Sequence, residues 1–204
     1  MYRSDILVAF ALRVPLALTA LRALLAPVVV LLAIFHPSRP AFGACLVVAF
    51  VSDIFDGILA RRMNVATSNL RRLDSITDTI FYLCTAFAVW YLYPSVISQH
   101  MVALVCLFVL EVARYVFDLH KFGREASYHM WSSKLWGIAL FAGIFSLLVL
   151  RSSGIAVSLA IYVGILADIE GLAISIIMNK WESDIPTFVH ARHRRIAKPD
   201  QISV

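Results

Sequence analysis

Six long apolar stretches dominate this chain of 204 residues. Each is roughly 20 residues long, which is enough for an α-helix to cross the hydrocarbon core of a membrane. Inside a bilayer only helices and closed barrels satisfy all of their backbone hydrogen bonds. The stretches cover roughly residues 11–35, 41–60, 74–93, 99–118, 135–151 and 155–178. The sequence therefore predicts an all-α integral membrane protein with six transmembrane helices.

The composition agrees with this interpretation. Hydrophobic residues make up 61% of the chain and charged residues only 15%. A soluble domain has about 45–50% apolar and about 25% charged residues. An ordinary soluble domain is therefore excluded as a description of the chain.

The positions of the lysines and arginines predict the orientation. If the N-terminus lies in the cytoplasm and the spans alternate, about 16 of the 18 basic residues lie at the inner face, and only Arg39 and Arg151 lie outside. This bias is the one that the positive-inside rule describes. We expect both termini to be cytoplasmic, with a membrane domain over residues 1–181 and a basic tail over 182–204. The net charge of +5 follows from the same bias, so nucleic acid is not an expected partner.

Four aspartates lie within about 26 residues, between the second and third apolar stretches. Asp53 and Asp56 are spaced i,i+3, and Asp74 and Asp78 are spaced i,i+4, so each pair shares one face of a helix. Acidic side chains in membrane helices are costly, about 2.5–3.5 kcal/mol for an aspartate at the helix centre. A cluster of oxygen ligands of this kind suits Mg²⁺ or Mn²⁺. The sequence therefore predicts a divalent-metal site for one or two ions, with two as the expected number.

The same segment resembles the motif of the CDP-alcohol phosphotransferase family, D-x2-D-G-x2-A-R-x8-G-x3-D-x3-D. All four aspartates match, as do Gly57, Ala60 and Arg61, while Leu70 stands where the family has its second glycine. The resemblance implies a six-helix phospholipid-biosynthetic enzyme, commonly a homodimer. We therefore expect this chain in a plasma membrane, that of a bacterium, with its active site on the cytoplasmic side.

The resemblance also implies an activity and residue roles. The expected reaction transfers a phosphatidyl group from CDP-diacylglycerol to a small alcohol and releases CMP, with Mg²⁺ or Mn²⁺ as cofactor. Asp53, Asp56, Asp74 and Asp78 would bind the metal, and Asp78 would also take the proton of the acceptor hydroxyl. Donor binding would involve Asp53, Gly57, Ala60 and Arg61.

The first span contains a second, weaker match to the family. A P-N-x-x-T-x-x-R-like stretch often precedes the main motif, and this chain has Pro15, Thr19 and Arg22 at those positions, with Leu16 in place of the asparagine. We expect Thr19 and Arg22 to belong to the donor site. Arg22 faces either the donor diphosphate or a motif carboxylate, unless its side chain extends along the helix to the inner membrane surface.

The residues that bind the acceptor alcohol are predicted less precisely than those of the metal site. Arg114 either pairs with Glu111, three residues before it, or lines the acceptor pocket, and Lys134 is the other acceptor candidate. Asp168 and Glu170 lie inside the last span and, being two residues apart, cannot face the same direction. Either one lines a cavity while the other pairs with a neighbouring helix, or they are structural partners of the basic residues.

Three other functions compete with this hypothesis. One is the reversed reaction, in which a soluble CDP-alcohol is the donor and a membrane lipid alcohol is the acceptor. A membrane prenyltransferase would also hold a diphosphate through Mg²⁺, but its two acidic motifs lie far apart in the chain. A divalent-cation channel or transporter would place carboxylates along a pore and would need no phosphate-binding arginine.

Overall fold

The computed structural model describes residues 2–62, 67–125, 128 and 130–197 of the chain. Within these ranges every regular element is a helix. The bounds are α1 Tyr2–Phe35, α2 Arg39–Arg62, α3 Ser68–Leu92, α4 Pro94–Gln99, α5 Met101–Phe122, α6 Trp131–Phe145, a π-helical turn Ser146–Leu150, α7 Ile155–Ile177 and α8 Phe188–Ala197. The all-α prediction is confirmed.

Five of the described helices are long and apolar enough to cross a membrane. The segments are Val14–Phe35, Arg39–Leu59, Arg72–Leu92, Trp131–Leu150 and Ile155–Ile177. Helix α5 corresponds to the fourth predicted span and has 22 residues. It carries Glu111, Arg114 and Asp118 within its apolar sequence. Helix α5 is not among these five segments, and a sixth span stays a prediction.

The described chain divides into two compact units. The first contains Met1–Pro94 and Ile144–Ser152, and the second contains Ser95–Gly143 and Ser153–Val204. The first unit contains all of the motif aspartates, whereas Arg114 and Lys134 belong to the second.

In the first unit, α1 packs against both α2 and α3. The face of α1 that carries Ala26, Val29 and Ala33 is fully buried. Small residues such as these allow helix backbones to approach closely. Close packing matters in a membrane because the hydrophobic effect does not drive helices together in lipid. Because α1 contacts both partners, a polar residue on its buried face can reach side chains of α2 and α3 together.

Helix α3 begins earlier than the sequence predicts. Thr67 has an extended backbone, and its Oγ1 accepts a hydrogen bond from Leu70 N at 3.2 Å, which is the geometry of an N-cap. The apolar stretch predicts that the helix starts near residue 74. The first turn of α3 is polar, so hydrophobicity alone does not reveal it. The cap places Asp74 and Asp78 within the second and third turns of α3 rather than at its end.

In the second unit, α5 and α8 each pack against α7. A cluster of Tyr128, Met130, Ile174, Met178, Ile185 and Ala191 is buried between these segments. Burial raises the pKa of the Tyr128 hydroxyl, and this hydroxyl shares a hydrogen bond of 3.0 Å with Ser175 Oγ. Ile185 and Ala191 show that part of the basic tail is packed against the membrane helices.

Two glycines of α6 provide a test of the packing in this unit. A Cβ atom at Gly143 would lie 2.9 Å from Ala160 Cβ and 3.0 Å from Ala156 O of α7, whereas one at Gly137 would meet nothing within 4 Å. Neither neighbour of Gly143 is the end of a flexible side chain. We expect Gly143→Ala to lower the free energy of unfolding by about 1–3 kcal/mol, the usual cost of overpacking.

Gly137→Ala is the matched control, since alanine is favoured over glycine in an open helical position by about 1 kcal/mol. The measurement is denaturant-induced unfolding of both variants in the same detergent. Equal destabilisation of the two variants would contradict the close approach of α6 and α7.

Candidate active site

Arg22 of α1 lies among the four motif aspartates. Its Nη1 atom contacts Asp53 Oδ1 at 2.8 Å and also contacts Asp78 Oδ1. Its Nη2 atom contacts Asp74 Oδ1 at 2.5 Å and also contacts Asp56 Oδ2. One guanidinium group therefore joins carboxylates from two helices, and the prediction that Arg22 faces a motif carboxylate is confirmed for all four.

The members of this cluster differ in their access to solvent. The side chains of Arg22 and Asp56 are only 2% and 5% exposed, whereas that of Asp53 is 43% exposed. Asp74 and Asp78 lie between these extremes. The cluster thus has a buried floor and a more open rim, so a ligand can approach Asp53, Asp74 and Asp78 while Asp56 stays enclosed.

Helix geometry explains why these side chains meet. The i,i+3 spacing on α2 and the i,i+4 spacing on α3 put each pair on one face. Arg22 lies on the buried face of α1, one turn before Ala26, and this helix packs against both of the others. An arginine buried in an apolar helix needs carboxylate partners.

The chemistry of the cluster fits a divalent cation. Carboxylate oxygens of Asp53, Asp56 and Asp74 lie within 4.8 Å of one another. Four carboxylates against one guanidinium leave an excess of three formal negative charges. Hard carboxylate oxygens are the ligands that Mg²⁺ and Mn²⁺ prefer. Since Arg22 contacts the same carboxylates, a cation and this guanidinium compete for them.

The comparison with protein families identifies the family of the chain. The family model described as CDP-alcohol phosphatidyltransferase matches residues 12–168, which is more than half of the chain. The chain belongs to the CDP-alcohol phosphatidyltransferase family. No curated protein and no solved structure matches it significantly. The matched residues include the whole aspartate cluster and Arg22.

The other predicted donor-site residues of this family member are placed as follows. Thr19 is buried one turn before Arg22, and its Oγ1 donates to Pro15 O at 3.1 Å. Gly57 follows Asp56 on α2 and is partly buried. The side chains of Ala60 and Arg61 lie outside the described residues. The roles of these four residues in nucleotide binding stay predictions.

Leu70 marks the departure from the family motif. Its side chain is 8% exposed, and its backbone N–H is engaged by the Thr67 cap. A leucine therefore fills space at a point where the family's glycine has no side chain. Because Leu70 lies one turn before Asp74 on α3, the substitution changes the wall beside the cluster and leaves all four carboxylates in place.

Tyr82 is a neighbour of the cluster that the sequence analysis missed. It lies one turn after Asp78 on α3, and its hydroxyl is close enough to Asp53 and Asp78 to interact with them electrostatically. The i,i+4 spacing from Asp78 could have identified it, since this spacing puts both side chains on one helix face.

In the second unit the two acceptor candidates have different surroundings. Arg114 Nη2 donates to Glu111 Oε1 at 2.9 Å, and its Nη1 lies 3.5 Å from Asp168 Oδ1. The Nζ of Lys134 lies 4.6 Å from the centre of the Trp131 ring, an exposed cation–π contact. The ion pair of Arg114 with Glu111 is confirmed, whereas an acceptor role for Arg114 or Lys134 is untested.

The two acids of the last apolar helix diverge, as their spacing predicts. Asp168 turns towards Arg114. Glu170 Oε1 accepts a hydrogen bond from Phe188 N at 3.0 Å, at the first residue of α8. A carboxylate at this position satisfies an N–H group that has no partner within its own helix. Glu170 therefore has a structural role in docking the tail.

Proposed function

We propose that this enzyme transfers a phosphatidyl group from CDP-diacylglycerol to a small alcohol and releases CMP. Membership of the family makes the chain a CDP-alcohol phosphotransferase. The observation that carries the proposal is the gathering of four aspartates around Arg22 in the first unit. This arrangement supplies both the carboxylates and the cationic side chain that a diphosphate donor requires.

The residues of the cluster have different roles in the proposed reaction. Asp53, Asp56, Asp74 and Asp78 would hold the divalent ions, which when bound would neutralise negative charge on the phosphate oxygens and on the leaving CMP. Arg22 exchanges carboxylate contacts for the phosphates of the donor, to which a guanidinium group binds well. Gly57, Ala60 and Arg61 border the nucleotide on α2, and Thr19, one turn before Arg22 on α1, belongs to the same donor site.

Asp78 also acts as the general base. The acceptor oxygen forms a bond to the phosphorus that carries the diacylglycerol, the bond from that phosphorus to the oxygen bridging to CMP breaks, and the hydroxyl proton passes to Asp78. Its side chain is 29% exposed, so it lies on the accessible rim of the cluster, where a hydroxyl group can reach it. A base must come within hydrogen-bonding distance of the proton that it takes.

The membrane arrangement belongs to the same proposal. We infer six spans with α5 as the fourth, both termini in the cytoplasm and the aspartate cluster at the inner face. The support is the inward bias of basic residues along the sequence. Assembly as a homodimer, in the plasma membrane of a bacterium, is proposed from the family resemblance.

The test is identification of the products. Purified protein in nanodiscs receives either CDP-diacylglycerol with a panel of small alcohols, or soluble CDP-alcohols with diacylglycerol, and new lipids are identified by mass spectrometry. We expect a phosphatidyl-alcohol from the first set only. Product from the second set alone would reverse the donor and acceptor and overturn the proposed direction.

A further inference from the structure

A second polar cluster lies inside the second unit, where α5 packs against α7. Gly164, Asp168, Gly171 and Ser175 are all buried and recur at spacings of four and three residues, so they share one face of α7. A Cβ atom at Gly171 would lie 2.9 Å from Arg114 Cδ. The absence of a side chain at Gly171 therefore allows Arg114 of α5 to lie directly against this face.

The charges in this cluster do not balance. Arg114 lies between Glu111 and Asp168, at 2.9 Å from the first carboxylate and 3.5 Å from the second. Two carboxylates thus face a single guanidinium group. The side chain of Glu111 is 44% exposed, whereas that of Asp168 is fully buried, where a charge is costly unless it is both paired and hydrogen-bonded. One formal negative charge is left without a cationic partner in this triad.

The hydrogen bonding of Asp168 points to a missing ligand. Its side chain is 0% exposed, yet within the described part of the chain neither of its oxygens accepts a hydrogen bond. Within the same residues the buried Oε2 atom of Glu111 likewise accepts no hydrogen bond, and the indole N–H of Trp136, which packs against Gly164 one turn before Asp168, donates none. Buried carboxylate oxygens normally have donors. This face presents acceptors that a ligand with N–H groups would satisfy.

We propose that Glu111, Arg114 and Asp168 form a binding site for a small ligand that carries an ammonium group. An ammonium group supplies both the missing positive charge and up to three donors. A phosphorylated ligand would meet two carboxylates and an arginine that is already paired with them.

Equilibrium dialysis of the purified full-length protein tests the site without turnover. Labelled ethanolamine is the probe, and ethylene glycol, which has a hydroxyl group in place of the ammonium group, is the matched competitor. Saturating Mg²⁺ is present so that the aspartate cluster of the first unit does not bind the amine. We expect ethanolamine to compete at least about tenfold better than ethylene glycol, the scale expected for a hydrogen bond to a charged partner.

The variants assign the binding to this site. Asp168→Asn and, independently, Glu111→Gln are expected to weaken ethanolamine binding about tenfold or more, because each removes one charged acceptor. Glu170→Gln, two residues along on another face of α7, is expected to bind ethanolamine as the wild type does. Thermal unfolding shows whether each variant is folded.

Three results would overturn the proposal. The first is no binding of ethanolamine, and the second is equal binding of ethanolamine and ethylene glycol. The third is unchanged ethanolamine binding in folded Asp168→Asn and Glu111→Gln, which would make the triad structural only. A failure of the proposed function gives a different result. In that case no acceptor leads to CMP release, while ethanolamine still binds. CMP release with glycerol 3-phosphate, and no ethanolamine binding, would overturn this inference alone.

Discussion

Replacement of Asp78 by asparagine is expected to lower kcat by about 10²–10⁴-fold, the usual contribution of a positioned general base. Asparagine has nearly the same shape but cannot accept the hydroxyl proton. Because Asp53, Asp56 and Asp74 remain, with oxygens within 4.8 Å of one another, metal and donor binding are expected to change much less than turnover. The measurement is the rate of CMP release at saturating donor and acceptor, with the KM of each determined separately.

Glu182→Gln is the control for loss of a negative charge elsewhere. Glu182 makes a partly exposed ion pair with Arg194 at 3.1 Å in the second unit. Exposed pairs contribute about 0–1 kcal/mol, so this variant should have near wild-type turnover. If Asp78→Asn kept its kcat, or lost only donor affinity, Asp78 could not be the base.

Arg22→Met is expected to destabilise the metal-free protein by about 3–5 kcal/mol, the cost of removing one member of a buried ion pair. Methionine is similar in length but leaves four carboxylates with no guanidinium group between them. The measurement is unfolding in detergent with EDTA, compared with Arg39→Met, which changes an exposed arginine at the start of α2.

Divalent cations provide the second part of this prediction. Mn²⁺ competes with Arg22 for the same carboxylates in the wild type, so adding it should stabilise Arg22→Met more than the wild type. Ligand-linked stabilisation grows with affinity for the folded state. If Arg22→Met unfolded like Arg39→Met, or gained nothing extra from Mn²⁺, Arg22 would not be the internal counter-ion of the cluster.

Much of the site could be predicted because it depends on the spacing of residues that are close together in the sequence. The spacings of Asp53 with Asp56, and of Asp74 with Asp78, determine which face each pair occupies on any helix. The divergence of Asp168 and Glu170 follows from the same periodicity. The motif resemblance then supplied the family, which the match over residues 12–168 confirms.

The remaining features depend on tertiary contacts, which cannot be predicted from helix periodicity. Arg22 could face a phosphate, a carboxylate or the membrane surface, and only the packing of α1 against both α2 and α3 decides among these. The cap at Thr67 moves the start of α3, and the contact of Glu170 with the first residue of α8 orders part of a tail that is polar in sequence.

Metal-dependent CMP release is the most direct test of the central claim that the aspartate cluster carries the transfer. Purified wild type and Asp56→Asn receive CDP-diacylglycerol and a panel of alcohols, with and without Mg²⁺. The account predicts acceptor-dependent CMP release that requires Mg²⁺ and is abolished in Asp56→Asn. Equal release by the folded variant, or no release by the wild type together with Mg²⁺ flux into liposomes, would contradict it.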